Sequence, residues 1–136
     1  MMRAVLAAAL LGLLVPPCLS VPAHARDLGQ WGNAPAAERD WFARLMMPDN
    51  PTVSCCGEGD AYWADEADVE DGQVYAVITD ERPDEPLRRA HIAPGTRFLV
   101  PPEKITRKDG NPTGHVIIFI APVSQAVLCY VMNGGV

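Results

Sequence analysis

Apolar residues change their spacing along this chain, and each change predicts a different kind of structure. Residues 4–15 form an uncharged run rich in Ala and Leu. Further on, Ala37, Trp41 and Leu45 recur at i, i+4 and i+8 with Phe42 and Met46 beside them, one apolar stripe of a helix over 36–47. Pro35 suits its first turn, and Pro48 and Pro51 end it. Past residue 60 the period falls to two. Residues 61–69 and 73–79 read as strands flanking Asp71-Gly72, a dipeptide that favours the positive-φ turn of a hairpin.

The segment 80–89, with Pro83 and Pro86, reads as a charged loop, and 96–100 as a strand stopped by Pro101-Pro102. A short edge strand is expected at 103–107 and a tight polar connection at 109–114. The run His115-Val116-Ile117-Ile118-Phe119-Ile120 is almost wholly apolar, as a central strand buried on both faces requires. A last strand covers 126–131. This order predicts an α+β fold: one N-terminal helix packed on a small, strongly bent antiparallel sheet or half-open barrel of five to six strands.

Met1 to Arg3 puts a positive charge before the first apolar run, and Ala23-His24-Ala25 places small residues at the −3 and −1 positions of a cleavage site. That layout predicts a secretory signal peptide over 1–25 and a single mature domain over 26–136, periplasmic or secreted. The run is shorter than the roughly 20 residues that span a bilayer, and Pro16-Pro17 closes it, so no membrane anchor is expected after cleavage. Losing Arg3 leaves ten of the eleven Lys and Arg against seventeen Asp and Glu, a formal charge of −7. Such a chain repels phosphate backbones, which argues against nucleic-acid binding.

Loss of Cys18 with the leader leaves Cys55, Cys56 and Cys129, an odd number for an oxidising compartment. The simplest scheme joins Cys129 to Cys55 or Cys56, closing a loop of about 75 residues with a gain of about 4 kcal/mol in the chain-entropy description. A bond within the adjacent pair is strained, because neighbouring Cα atoms lie about 3.8 Å apart, below the usual disulfide range.

The blocks Ser54-Cys55-Cys56-Gly57 with Asp60-Ala61-Tyr62, Asn111-Pro112-Thr113-Gly114-His115, and Cys129-Tyr130-Val131 ahead of Gly134-Gly135-Val136 resemble those of a group of short exported bacterial proteins of unassigned function. The resemblance implies export and one compact domain. A second resemblance is local: Gly114 to Ile120 is similar to the His-initiated strand of cell-wall cysteine peptidases of the NlpC and CHAP type. It implies Cys55 or Cys56 as nucleophile and His115 as its base. Two features depart from that pattern. Gly57-Glu58-Gly59-Asp60 is a poor helix start for a nucleophilic cysteine, and beyond His115 the candidates for a third polar residue are Ser124 and Gln125.

Cys55, Cys56, His91, His115 and Asp60 have ligand chemistry for zinc or copper, but adjacent cysteines do not wrap a tetrahedral ion, so neither a metal nor another cofactor is expected. The acids between Glu58 and Glu85 read as a solvated face, with Arg88, Arg89, Arg97, Lys104, Arg107 and Lys108 concentrated later. Opposite charge on two faces suits docking to a partner. Among the aromatics, Trp31 between two glycines is the one expected at the surface, and most of the others are expected to pack. The expectation is an exported, non-enzymatic binding or interaction domain with a protein or cell-envelope partner. Its candidate surface is Asp60, Tyr62, Trp63 and His115, and the alternative is a peptidase-like enzyme using Cys55 or Cys56 with His115.

Overall fold

Helix α1 (Ala36–Ala43) begins where Pro35 presents its carbonyl to the amides of Glu38 and Arg39, and it buries Phe42. In this computed structural model residues 34–55, 60–108 and 110–133 are described, without the side chains of Asp60, Pro86 and Lys108; the leader, Trp31 and Cys56 lie outside the described residues. The helix stops four residues short of the stripe that predicted it. Pro48 holds Met47 away from helical backbone, and β1 (Met46–Met47) instead pairs with β2 (Asn50–Ser54) as a small antiparallel hairpin. Leu45, the last residue of the stripe, is still buried, but from the turn after the helix.

The remaining strands are β3 (Asp60–Trp63), β4 (Glu66–Glu70), β5 (Gln73–Val77), β6 (Arg97–Val100), β7 (Ile105–Lys108), β8 (Ile117–Ile120) and β9 (Val127–Asn133). The α+β class therefore holds, with the strands divided among three sheets: β1-β2, β3-β8-β9-β7 and β4-β5-β6. The expected single antiparallel sheet is interrupted in two places. At Asp65 the carboxylate, not a backbone carbonyl, accepts the Val116 amide at 2.8 Å, and the chain turns from β3 into β4. At Pro101-Pro102 two residues without amide protons pass through a 3₁₀ turn (Pro102–Lys104) into β7. The pairing of β7 with β9 is parallel, because the connection 110–116 carries the chain past the end of β9, where the Asn133 side chain donates to the Gly114 carbonyl at 3.1 Å.

Strand β8 is buried at all four positions, as its apolar run predicts, and its alternation sorts two cores. Ile118 and Ile120 join Tyr62, Ala76, Ile78, Val100 and Tyr130 between the two larger sheets. Ile117 and Phe119 point to the opposite face, with Phe42, Leu45, Cys55, Cys129 and Val131 beneath α1 and the hairpin. Phe119 pairs with Cys129 and Ile120 with Val127, so Leu128 is an extra residue in β9. This bulge lets Val127 face the first core while Cys129 faces the second.

Cys55 and Cys129 form a disulfide across 74 positions, inside the second core with both residues fully buried. It ties the end of β2 to the centre of β9, so the helix and hairpin are held covalently to the sheet they cover. Replacing Cys129 by Ser removes a closure of about 4 kcal/mol in the chain-entropy description. The expected result is a melting temperature lower on the order of 15 °C under oxidising conditions, measured by circular dichroism. The two proteins should melt together once the wild type is reduced.

Candidate functional site

His115 is delivered by a connection that Asn111 folds upon itself. The Asn111 Oδ1 accepts from the Thr113 amide at 3.0 Å and the Thr113 hydroxyl at 2.7 Å, and its Nδ2 donates to the His115 carbonyl at 2.8 Å. Gly114, at φ +74°, allows the reversal, and the His115 amide then donates to the Thr113 hydroxyl at 3.1 Å. The imidazole consequently stacks on Trp63 of β3, with ring centres 3.8 Å apart and planes within 12°. Its Nδ1 lies 2.7 Å from Asp65 Oδ2. A carboxylate only accepts, so Nδ1 carries the proton of this pair, and in the neutral imidazole Nε2 keeps a lone pair for another donor.

On the other side of β3 the charged segment folds over the strand. It contains α2 (Asp84–Leu87) and is organised by Asp80, whose side chain is wholly buried. Asp80 accepts the Trp63 amide at 3.1 Å, two bonds from the Arg82 guanidinium at 2.9 and 2.6 Å, and one from Arg89 at 2.6 Å. Burial on its own would push this carboxyl up, but the hydrogen bonds from Arg82, Arg89 and the backbone outweigh it and hold Asp80 well below the usual carboxylate range. Arg89, whose side chain is only 3% exposed, also donates to Asp84, to the Ala61 carbonyl and to the Arg82 carbonyl, and its guanidinium lies 4.6 Å from the Tyr62 ring. The expectation of a solvated acidic face thus fails at Asp80, which is a buried anchor.

Arg82 is held by Asp80 with its Cζ 4.1 Å from the Trp63 ring centre. Together with His115, Trp63, Thr113 and Glu38 it lines a cleft of about 110 Å³ at the edge of α1, floored by Phe42, Ala61 and Ile117. The site offers a planar aromatic surface, a carboxylate, a hydroxyl and two cation-forming side chains in space for a few waters or the end of a ligand. Tyr130, in the core near Asp65, has its hydroxyl pushed up by burial and then by the Asp65 charge.

Of the residues singled out in the sequence, the fold brings together Trp63 and His115. Tyr62 is 1% exposed and points into the first core, its hydroxyl donating to the Ala90 carbonyl at 2.6 Å, so it presents no surface. Asp60 opens β3. Cys55 is bonded to Cys129 and carries no thiol, while Cys56 is outside the described residues. His91 does not join His115; its Nδ1 meets Asp84 at 2.6 Å in the α2 segment. Among the described residues no group of three or more His, Cys, Asp or Glu is placed to hold a metal ion, and no helix is long and apolar enough to cross a membrane. Sequence reasoning missed Asp65, Arg82, Asp80 and Arg89, which it absorbed into charge runs. The available signal was spacing: Asp80 directly follows an apolar strand, with Arg82 two residues on.

Comparison of the chain with protein-family models, with curated proteins and with solved structures finds no match in any of the three.

Removing the Asp80 charge leaves the buried Arg89 without its nearest counter-ion, a change that costs about 3–5 kcal/mol in comparable buried pairs. Asp80→Asn is therefore expected to lower the denaturant midpoint strongly at pH 7. Because the folded carboxyl is depressed, its contribution is full above about pH 4 and declines as pH falls from there towards the depressed value. Chemical denaturation of both proteins at stepped pH checks this: the gap between them narrows only in acid.

Proposed function

We propose that this chain is an exported binding domain, freed of residues 1–25 and stapled by the Cys55–Cys129 bridge, whose ligand seats in the Trp63–His115 cleft. The observation that carries the reading is the His115–Asp65 pair stacked on Trp63: it fixes an imidazole with Nε2 available, beside Arg82 and Glu38. These groups suit a small zwitterionic ligand or the end of a peptide. Glu38 and the Nε2 lone pair of His115 match an ammonium, while Arg82 matches a carboxylate. The bridge supports the export part of the reading, because such bonds persist in oxidising compartments. The first resemblance, to short exported proteins, points the same way.

Titrating the oxidised protein with dialanine, followed by imidazole and indole NMR signals, is expected to shift His115 and Trp63. Arg82→Ala and His115→Ala are each expected to weaken binding about tenfold, in line with the loss of one charge-assisted hydrogen bond. Shifts absent from both rings, or unchanged affinity in both variants, would refute the cleft as the binding site.

A second reading is favoured by one observation. Asp65 orients His115 through Nδ1, the role of the polar residue that the cysteine-peptidase pattern lacks beyond the histidine. With Cys55 oxidised, Cys56 would be the nucleophile. That enzyme requires iodoacetamide to label Cys56 fast at neutral pH, and His115→Ala to slow the labelling as it abolishes peptidoglycan cleavage. A slow or absent reaction at Cys56 removes it.

A further inference from the structure

Strand β4 is the edge of its sheet, and all five of its residues are exposed. Asp71 at φ 50° and Gly72 at φ 76° form the two-residue turn to β5 and set Glu70 opposite Gln73. In a hairpin closed this way, Glu70, Asp68 and Glu66 exchange hydrogen bonds with β5, and the amides and carbonyls of Ala67 and Val69 point to the outer edge. Among the described residues no strand pairs there. Val69 faces the same side as Val74 and Ala76, yet it is 69% exposed, because the core does not reach it.

Exposed edges are usually blunted by charged side chains, lysine above all, by proline, a bulge or a covering segment. β4 has no lysine, proline or bulge, and its other side-chain row is Glu66, Asp68 and Glu70. Arg97 of β6 reaches across Tyr75 to Asp68 at 3.1 Å and Glu70 at 2.8 Å, one cation for three acids. Pairing β4 with β4 of a second copy would place like charges opposite one another, which opposes it. A strand carrying lysine or arginine at every second position would instead meet an acid at each, and its intervening apolar residues would cover Ala67 and Val69.

We propose that β4 is a strand-addition site for an extended segment of a partner protein in which basic and apolar residues alternate. Main-chain bonds to Ala67 and Val69 provide the affinity, and the Glu66, Asp68 and Glu70 row selects the register. This does not rest on the cleft; either can fail alone.

The test uses the oxidised protein and the peptide acetyl-(Val-Lys)₃-Val-amide, with a control of equal composition whose three lysines are consecutive. Amide exchange by NMR is expected to slow at least tenfold at Ala67 and Val69 on saturation with the alternating peptide. The control should bind at least tenfold more weakly. Val69→Pro removes an edge-facing donor without touching the ladder to β5, and is expected to abolish the protection that the peptide confers at Ala67. A peptide N-methylated at alternate residues probes the same ladder from the other side with the protein unaltered, and is expected not to bind. Equal binding of the two unmethylated peptides, which is charge attraction alone, overturns the proposal, as does undiminished binding of the N-methylated one. So does strong protection of Ala67 and Val69 before any peptide is added: concentration-dependent protection assigns the edge to a second copy, and concentration-independent protection to the chain's own N-terminal segment.

Discussion

A strand that is apolar on both faces has to be covered twice, and in a chain of this length the two covers must come from short elements. β8 sets that constraint through Ile117, Ile118, Phe119 and Ile120, all buried. The three-stranded sheet covers one face. On the other, among the described residues, lie an eight-residue helix and a small hairpin, too little to form a stable layer alone. The Cys55–Cys129 bridge sits in this thinner core and fastens it to β9. Both cores therefore depend on the same four residues, and the bridge reinforces the one whose described cover is a short helix and a hairpin.

Polar anchoring follows the same economy. β3 is an edge strand, paired on one side by β8; on the other, Asp80 binds the Trp63 amide and Arg89 the Ala61 carbonyl. A folded-back charged segment thus does for β3 what another strand would do, with a buried carboxylate and two guanidinium groups in place of a ladder. Fixing that segment also fixes Arg82 beside Trp63, and folding the 110–116 connection fixes His115 against the same ring. The cleft is a consequence of how the edge of the sheet is closed, and the same hydrogen bonds that close the edge set its geometry.

Much of the fold was legible where local signals agree with burial. The run at 115–120 and the Asp71-Gly72 turn led directly to β8 and the β4–β5 hairpin, because period and turn chemistry are local properties. Cys129 was legible as the partner of one member of the adjacent pair by elimination, though not which member. The helix end was misread because apolar spacing continues through Leu45 and Met46, whereas Pro48 and the pairing of Met46 with Ser54 decide the backbone. The sheet division and the parallel β7–β9 pair depend on long-range contacts that periodicity does not carry. In the cleft, Trp63 and His115 were visible as residue types, but Asp65 lies fifty positions from His115 and Asp80 looked like one more surface acid. Charged residues reveal their role only through partners, and those partners are set by the fold.

The bridge joins the fold to the functional reading, since it secures the core beneath the helix and is a kind of bond that persists in the oxidising compartment to which the proposed export leads. Peptide mapping by non-reducing mass spectrometry, on protein recovered from the envelope or medium of an expressing bacterium, tests both at once. The account predicts a chain beginning at Arg26 with a Cys55–Cys129 cross-linked peptide. A chain that retains residues 1–25, or one in which Cys129 is free or joined to Cys56, would contradict it.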